Sequence, residues 1–94
     1  MEVKFMWNGI KVDGVLHKCW YSESLPAGTI TIYGKNYRPL PQVDGLTVDN
    51  DSDLWTDYFE NDRIRVTPEN PFYSAVKAAL AKLHEHDAKL SAKR

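Results

Sequence analysis

Residues 49–60 read DNDSDLWTDYFE, a run of oxygen ligands broken by aromatics. Counted from Asp49, carboxylates fall at loop positions 1, 3, 5, 9 and 12, as Asp49, Asp51, Asp53, Asp57 and Glu60. An EF-hand calcium loop draws its side-chain ligands from those positions. Position 6, however, is Leu54, where the sharp turn needs the freedom of glycine at positive φ. An EF-hand also needs a helix on each side. Here QVDGLTV precedes the run and is no helix, and NDRIRVT follows it and reads as a strand. The stretch is therefore read as a polar turn, with Asp and Asn side chains bonding their own backbone, that enters a strand at Leu54. A calcium- or metal-responsive domain stays as a second alternative, with no metal ligand assigned.

Other reactive side chains are sparse. His17 and Cys19 are two apart and share one face of a strand, and His84 or His86 would have to join them to make a zinc site or a Cys–His pair. There is no CxxC, and His84 and His86 point to different sides of a helix, so Cys19 is expected to fill space in the core. Asp57 and Glu60 form a possible acid–base pair. Arg63 and Arg65 stand close enough to keep both ionised, which fits ion pairs better than a tuned catalytic group. The sequence has no Walker loop, glycine-rich dinucleotide loop or HExxH. A non-enzymatic protein without a cofactor is expected.

Recognition is the remaining chemistry. The leading expectation is a protein-docking surface built from Asp49, Asp51, Asp53, Asp57 and Glu60, with Trp55 and Tyr58 as anchors, for a basic partner. The alternative is a nucleic-acid-binding module. The aromatics Trp7, Trp20, Tyr21, Tyr33, Tyr37, Trp55, Tyr58, Phe59 and Tyr73 include candidates for base stacking. Lys35, Arg38, Arg63 and Arg65 would neutralise phosphates. Most of these rings are needed inside so small a core, and a net charge of −1 weighs against nucleic acid.

That net charge hides a pattern. Residues 1–43 carry five basic and three acidic groups, residues 44–62 seven acidic and no basic, and residues 63–94 seven basic and three acidic. Leu54, Trp55, Tyr58 and Phe59 interrupt the acidic block, so it is expected to fold. Ninety-four residues make one domain with a small core. One cysteine rules out an internal disulfide and suits a reducing compartment. The N-terminus MEVKFMWNGIKV lacks a signal-peptide core, and no apolar run reaches the length of a membrane span. A cytoplasmic protein is expected.

The elements that must position these groups read as α+β. Asn8-Gly9 and Asp13-Gly14 are both preferred hairpin turns, but they stand too close for two long hairpins. Asp13-Gly14 is taken as the main turn, pairing residues 3–12 with 15–22, and the other as a bulge or short reversal. In VLHKCWYS, Val15, His17, Cys19 and Tyr21 share one face and Leu16, Lys18, Trp20 and Ser22 the other. The pattern leaves open which face is buried. TITIY at 29–33 is the clearest strand, RPLPQVDG an edge strand or extended loop, and LTV at 46–48 a short strand. WTDYFENDRIRVT reads as a hairpin turning at Asn61-Asp62. Asn70-Pro71 starts a helix whose apolar residues at 72, 76, 79, 80, 83 and 90 fit one face. The expected fold is a mostly antiparallel sheet of about four to six strands with one C-terminal amphipathic helix packed on one face. An exposed edge strand offers a route to a homodimer.

The runs ITIYGKNYRPLP and LTVDNDSDLWTDYFENDRIRVTPENPFY carry a resemblance. They are similar to small domains and stand-alone proteins of phages, plasmids and conjugative elements, some described as large polyvalent protein-associated domains. The resemblance spans residues 29–76, and TDYFENDRIRVTPENPFY is its most specific piece. It implies a mobile-element origin and an accessory role, with a host-defence or nucleic-acid-handling complex as the target to inhibit. It brings no catalytic residues.

Overall fold

The computed structural model describes residues 1–35, 38–50 and 62–92. Six strands are followed by one helix: β1 (Val3–Met6), β2 (Gly9–Val12), β3 (Val15–Ser24), β4 (Thr29–Gly34), β5 (Val48–Asn50), β6 (Asp62–Val66) and α1 (Tyr73–Ala92). The strands form a single sheet in the order β1-β2-β3-β4-β6-β5, and every neighbouring pair is antiparallel. The α+β architecture expected from the sequence is the one observed. Among the described residues no helix is long and apolar enough to cross a membrane.

Both turn signals reverse the chain. Asp13-Gly14 closes β2 on β3 with Val12 opposite Val15, and the two turn residues lie at φ 48° and 85°. A two-residue turn between twisted strands demands those left-handed values. The Asp13 carboxylate also accepts a hydrogen bond from the Glu2 N–H at 2.9 Å, which ties the start of β1 to this turn. The first reversal is made by Trp7-Asn8, one residue earlier than the Asn-Gly pair suggests, with Met6 opposite Gly9. Gly9 serves the fold differently. A Cβ there would run into the His17 carbonyl of β3, so the glycine permits close approach of two strands.

The sheet has one covered face. Cys19 and Tyr21 are buried with Ile10, Ile30, Ile32, Ile64 and Val66, while Leu16, Lys18, Trp20 and Ser22 are exposed. This settles the alternation of β3: the His17–Cys19–Tyr21 side faces the helix. Val76, Ala79, Leu80 and Leu83 of α1 complete the core over part of that face, and α1 lies against β1, β3 and β4. Residues 38–47 cover the rest as an extended loop, burying Leu40, Val43 and Leu46. The Asp62 carboxylate pins this loop by accepting the Leu40 N–H at 3.2 Å.

The reading of WTDYFENDRIRVT as a hairpin needs correction on its described arm. Asp62–Ile64 pairs with Val48–Asn50 on one edge, and Arg63–Val66 pairs with β4 on the other. Both edges of β6 are thus occupied at Arg63 and Ile64; the arm expected at 55–59 lies outside the described residues. Val48 explains the choice, because it extends the buried row Tyr21–Ile32–Ile64 by one more β-branched side chain.

The helix starts close to where its sequence demands. Asn70 Oδ1 accepts the Phe72 N–H at 2.9 Å in a turn that leads into α1 at Tyr73, two residues later than Pro71 was expected to begin it, and Asn70 Nδ2 donates to the Gly45 carbonyl at 3.1 Å. The Tyr73 hydroxyl donates to the Gly28 carbonyl at 2.6 Å, fastening the helix to the β3–β4 loop. Leu90 departs from the expected stripe. It is 53% exposed, and no described residue after Leu83 is buried. Replacing Asn70 by Ala is expected to cost about 1 kcal/mol in urea unfolding, and Asn70→Asp, which keeps the cap but cannot donate to the Gly45 carbonyl, to recover only part of that. Leu83→Ala should cost about 2–5 kcal/mol, against less than about 0.5 for Leu90→Ala.

Tyr21 and Cys19 form the polar part of the core. The Tyr21 hydroxyl donates to the Gly9 carbonyl at 3.0 Å. Burial pushes the Cys19 thiol up to about 11 from an ordinary 9.0. Burial, with Cys19 beside it, also raises the Tyr21 phenol. Folding thus favours the protonated thiol. Its contribution to stability is complete below pH 9.0 and is lost as pH rises through about 11. The urea midpoint is expected to fall across that window in the natural protein and to fall less steeply in Cys19→Ala. Parallel profiles would refute the assignment.

Candidate nucleic-acid interface

The face of the sheet opposite the helix carries cations and an aromatic pair. Antiparallel register sets Trp20 directly opposite Tyr33, Tyr33 opposite Arg63, and Arg63 opposite Asp49, a row across four strands. The next row holds Ser22, Thr31 and Arg65. On the other side of Trp20 come Met6, Gly9 and Lys18, then Lys4, Lys11 and Leu16. Directly opposed side chains stand about 4.5–5.5 Å apart at Cβ. Trp20 is 46% exposed and Tyr33 is half-buried. Lys4, Lys18 and Arg65 are exposed, and Lys11 is partly so.

Five cationic side chains from four strands thus share this face with Trp20, and Lys18 is its neighbour along β3. Among the described residues, Glu2, 3.6 Å from Lys4 in an exposed ion pair, and Asp49 are carboxylates placed with them. An exposed pair of that kind contributes little. Successive rows lie about 7 Å apart and neighbouring strands about 4.8 Å apart. From Lys11 to Arg65 the face therefore measures about 25 Å along its diagonal. A surface of this size, with Trp20, Lys4, Lys18 and Arg65 exposed and Thr31 and the Arg63 Nε buried, suits an extended polyanion.

Of the basic residues singled out in the sequence, Arg63 and Arg65 lie on this face. Lys35 follows β4 directly, one step beyond the Cys19–Gly34 pair and so beside the end that carries Lys18. Arg38 is not brought to the face. Its carbonyl packs against Gly34 on the side where Gly34 is paired with buried Cys19. Lys4, Lys11 and Lys18 were missed as site residues. The signal was present: Asp13-Gly14 fixes Lys11 opposite Leu16, and Ile10 beside Lys11 marks which side goes inward.

The acidic stretch enters only through its first residues. Asp49 is an exposed strand residue opposite Arg63. Asp51, Asp53, Trp55, Asp57, Tyr58 and Glu60 lie outside the described residues, as do Tyr37 and Phe59. The elements on either side of the stretch are the strands β5 and β6, where an EF-hand would have helices. Cys19 and His17 face the helix. His84 is exposed, and His86 stacks on Trp7 with ring centroids 4.1 Å apart. Among the described residues no three His, Cys, Asp or Glu side chains gather as metal ligands. Compared with protein-family models, curated proteins and solved structures, the chain matches none.

Proposed function

We propose that the protein is a nucleic-acid-binding module that works through the face of its sheet opposite the helix. The observation that carries this reading is the half-exposed ring of Trp20 set among Lys11, Lys18 and Arg65 by strand register. Cations neutralise phosphates and release their counterions, which supplies affinity. The aromatic pair adds contact with the bases. The net charge of −1 weighs against the reading, but it is uneven: the cations come from residues 1–43 and 63–94, where basic groups outnumber acidic ones five to three and seven to three, and Asp49 of the acidic block lies opposite Arg63. No step of chemistry is required of the protein. Its part is to hold cations and rings at fixed spacings on a rigid sheet.

Binding of short labelled oligonucleotides, followed by fluorescence anisotropy at about 50 mM salt, tests the reading. Affinity should fall with salt at a logarithmic slope of about −2 to −3, as expected for three or four neutralised phosphates on a single strand. The triple change Lys11→Glu, Lys18→Glu and Arg65→Glu should weaken binding at least about tenfold at that salt while leaving the urea midpoint nearly unchanged. The absence of any anisotropy change, or full binding by the triple variant, would remove the proposal. Asp49→Lys serves as the contrast. It should strengthen nucleic-acid binding slightly; loss of binding would point back to the acidic surface.

A further inference from the structure

The face also restricts which form of nucleic acid it can take. We infer that its ligand is single-stranded and that Trp20 stacks on an unpaired base. This inference rests on the nucleic-acid reading above and deepens it.

Width is the first argument. At the level of Trp20 four strands stand side by side, β3, β4, β6 and β5, and three gaps of about 4.8 Å make the sheet about 14 Å wide there. The major groove of a duplex is about 12 Å wide and the minor groove about 6 Å. A two-stranded ribbon enters the major groove, but a four-stranded sheet presented face-on does not. Trp20 opens that row, and on its other side the Trp7-Asn8 turn closes against β3 through the Asn8 carbonyl, which accepts the Cys19 N–H at 3.3 Å, so the ring stands on a face bounded by backbone on both sides. Against a duplex this surface meets only phosphates.

An unpaired strand removes the obstacle. Its bases turn out from the backbone and meet a flat surface without entering anything. Trp20 offers an exposed ring, and its neighbours along the strand are Lys18 on one side and the short Ser22 on the other. A base lying on Trp20 therefore has room towards Ser22, and its phosphates reach Lys18 and Lys11 in one direction and Arg65 in the other. The diagonal accommodates a short site of about four nucleotides, the lower end of the range for sheet-based binders. Stacking accepts any base, so the site reads exposure of the bases ahead of their sequence.

Single strands, the matching duplex and inorganic polyphosphate are compared on the full chain by anisotropy competition at low salt. Single strands should bind best. Trp20→Ala should weaken single-strand binding roughly five- to hundredfold, with Trp20→Phe recovering most of it, and should leave duplex binding within about twofold. Equal affinity for single strand and duplex, or equal competition by polyphosphate with no effect of Trp20→Ala, overturns the inference and leaves the polyanion face standing. No binding to either nucleic acid overturns the underlying reading as well. An unchanged urea midpoint for Trp20→Ala shows that its effect is one of contact.

Discussion

The register between β2 and β3 is the constraint on which the molecule depends. It is set by a turn whose two residues both need positive φ, and Asp13-Gly14 meets that need at little cost. Side chains alternate strictly along a strand, so a slip of one residue would exchange the two faces of the sheet. Cys19 and Tyr21 would meet water, and Lys18 and Trp20 would meet the helix. The Tyr21 hydroxyl bond to Gly9 and the close contact of Gly9 with the His17 carbonyl hold the same alignment from the covered side. Core and candidate interface are therefore two readings of one alignment.

The covered face is completed by two unlike pieces. The helix buries one stripe over β1, β3 and β4, and the irregular loop at 38–47 buries Leu40, Val43 and Leu46 beside it. Asn70 joins them by capping the helix with its oxygen and holding the Gly45 carbonyl with its nitrogen. Tyr73 adds a tie to Gly28, and Phe5 packs on Phe72 with ring centroids 5.7 Å apart. The helix thus docks at its N-terminal end, where polar and apolar contacts coincide. α1 and the loop thus share one side of the sheet, the side opposite Lys18, Trp20 and Arg65.

Much of this was legible in the sequence, where local chemistry fixes local geometry. Asn70-Pro71 announced the helix start, and Ile30 and Ile32 announced the buried side of β4. Other features depend on contacts distant along the chain. Two closely spaced turn signals seemed to compete, yet strands of four residues suffice to use both reversals. The β3 alternation was visible, but both faces mix polar and apolar residues, and only the docking of α1 decides between them. Leu90 fits the helical period, yet the core ends at Leu83, and periodicity carries no information on where a partner surface stops. For the candidate site, Arg63 and Arg65 were identified from type and spacing. Lys4, Lys11 and Lys18 come from three strands, and only their register assembles them.

The strand order also bears on how the chain reaches this state. β1 to β4 form a meander in which each strand meets its sequence neighbour through a reversal of two to four residues. β6 joins β4 only after 27 residues of intervening chain, residues 35–61, so that Ile32 meets Ile64. Closing so long a loop carries an entropic cost that the local hairpins avoid. Assembly is therefore graded, with a quickly formed N-terminal ribbon acting as the template on which β6, the loop and the helix later settle. Trp20 and its lysines belong to that early ribbon, whereas Arg65 arrives with the late strand.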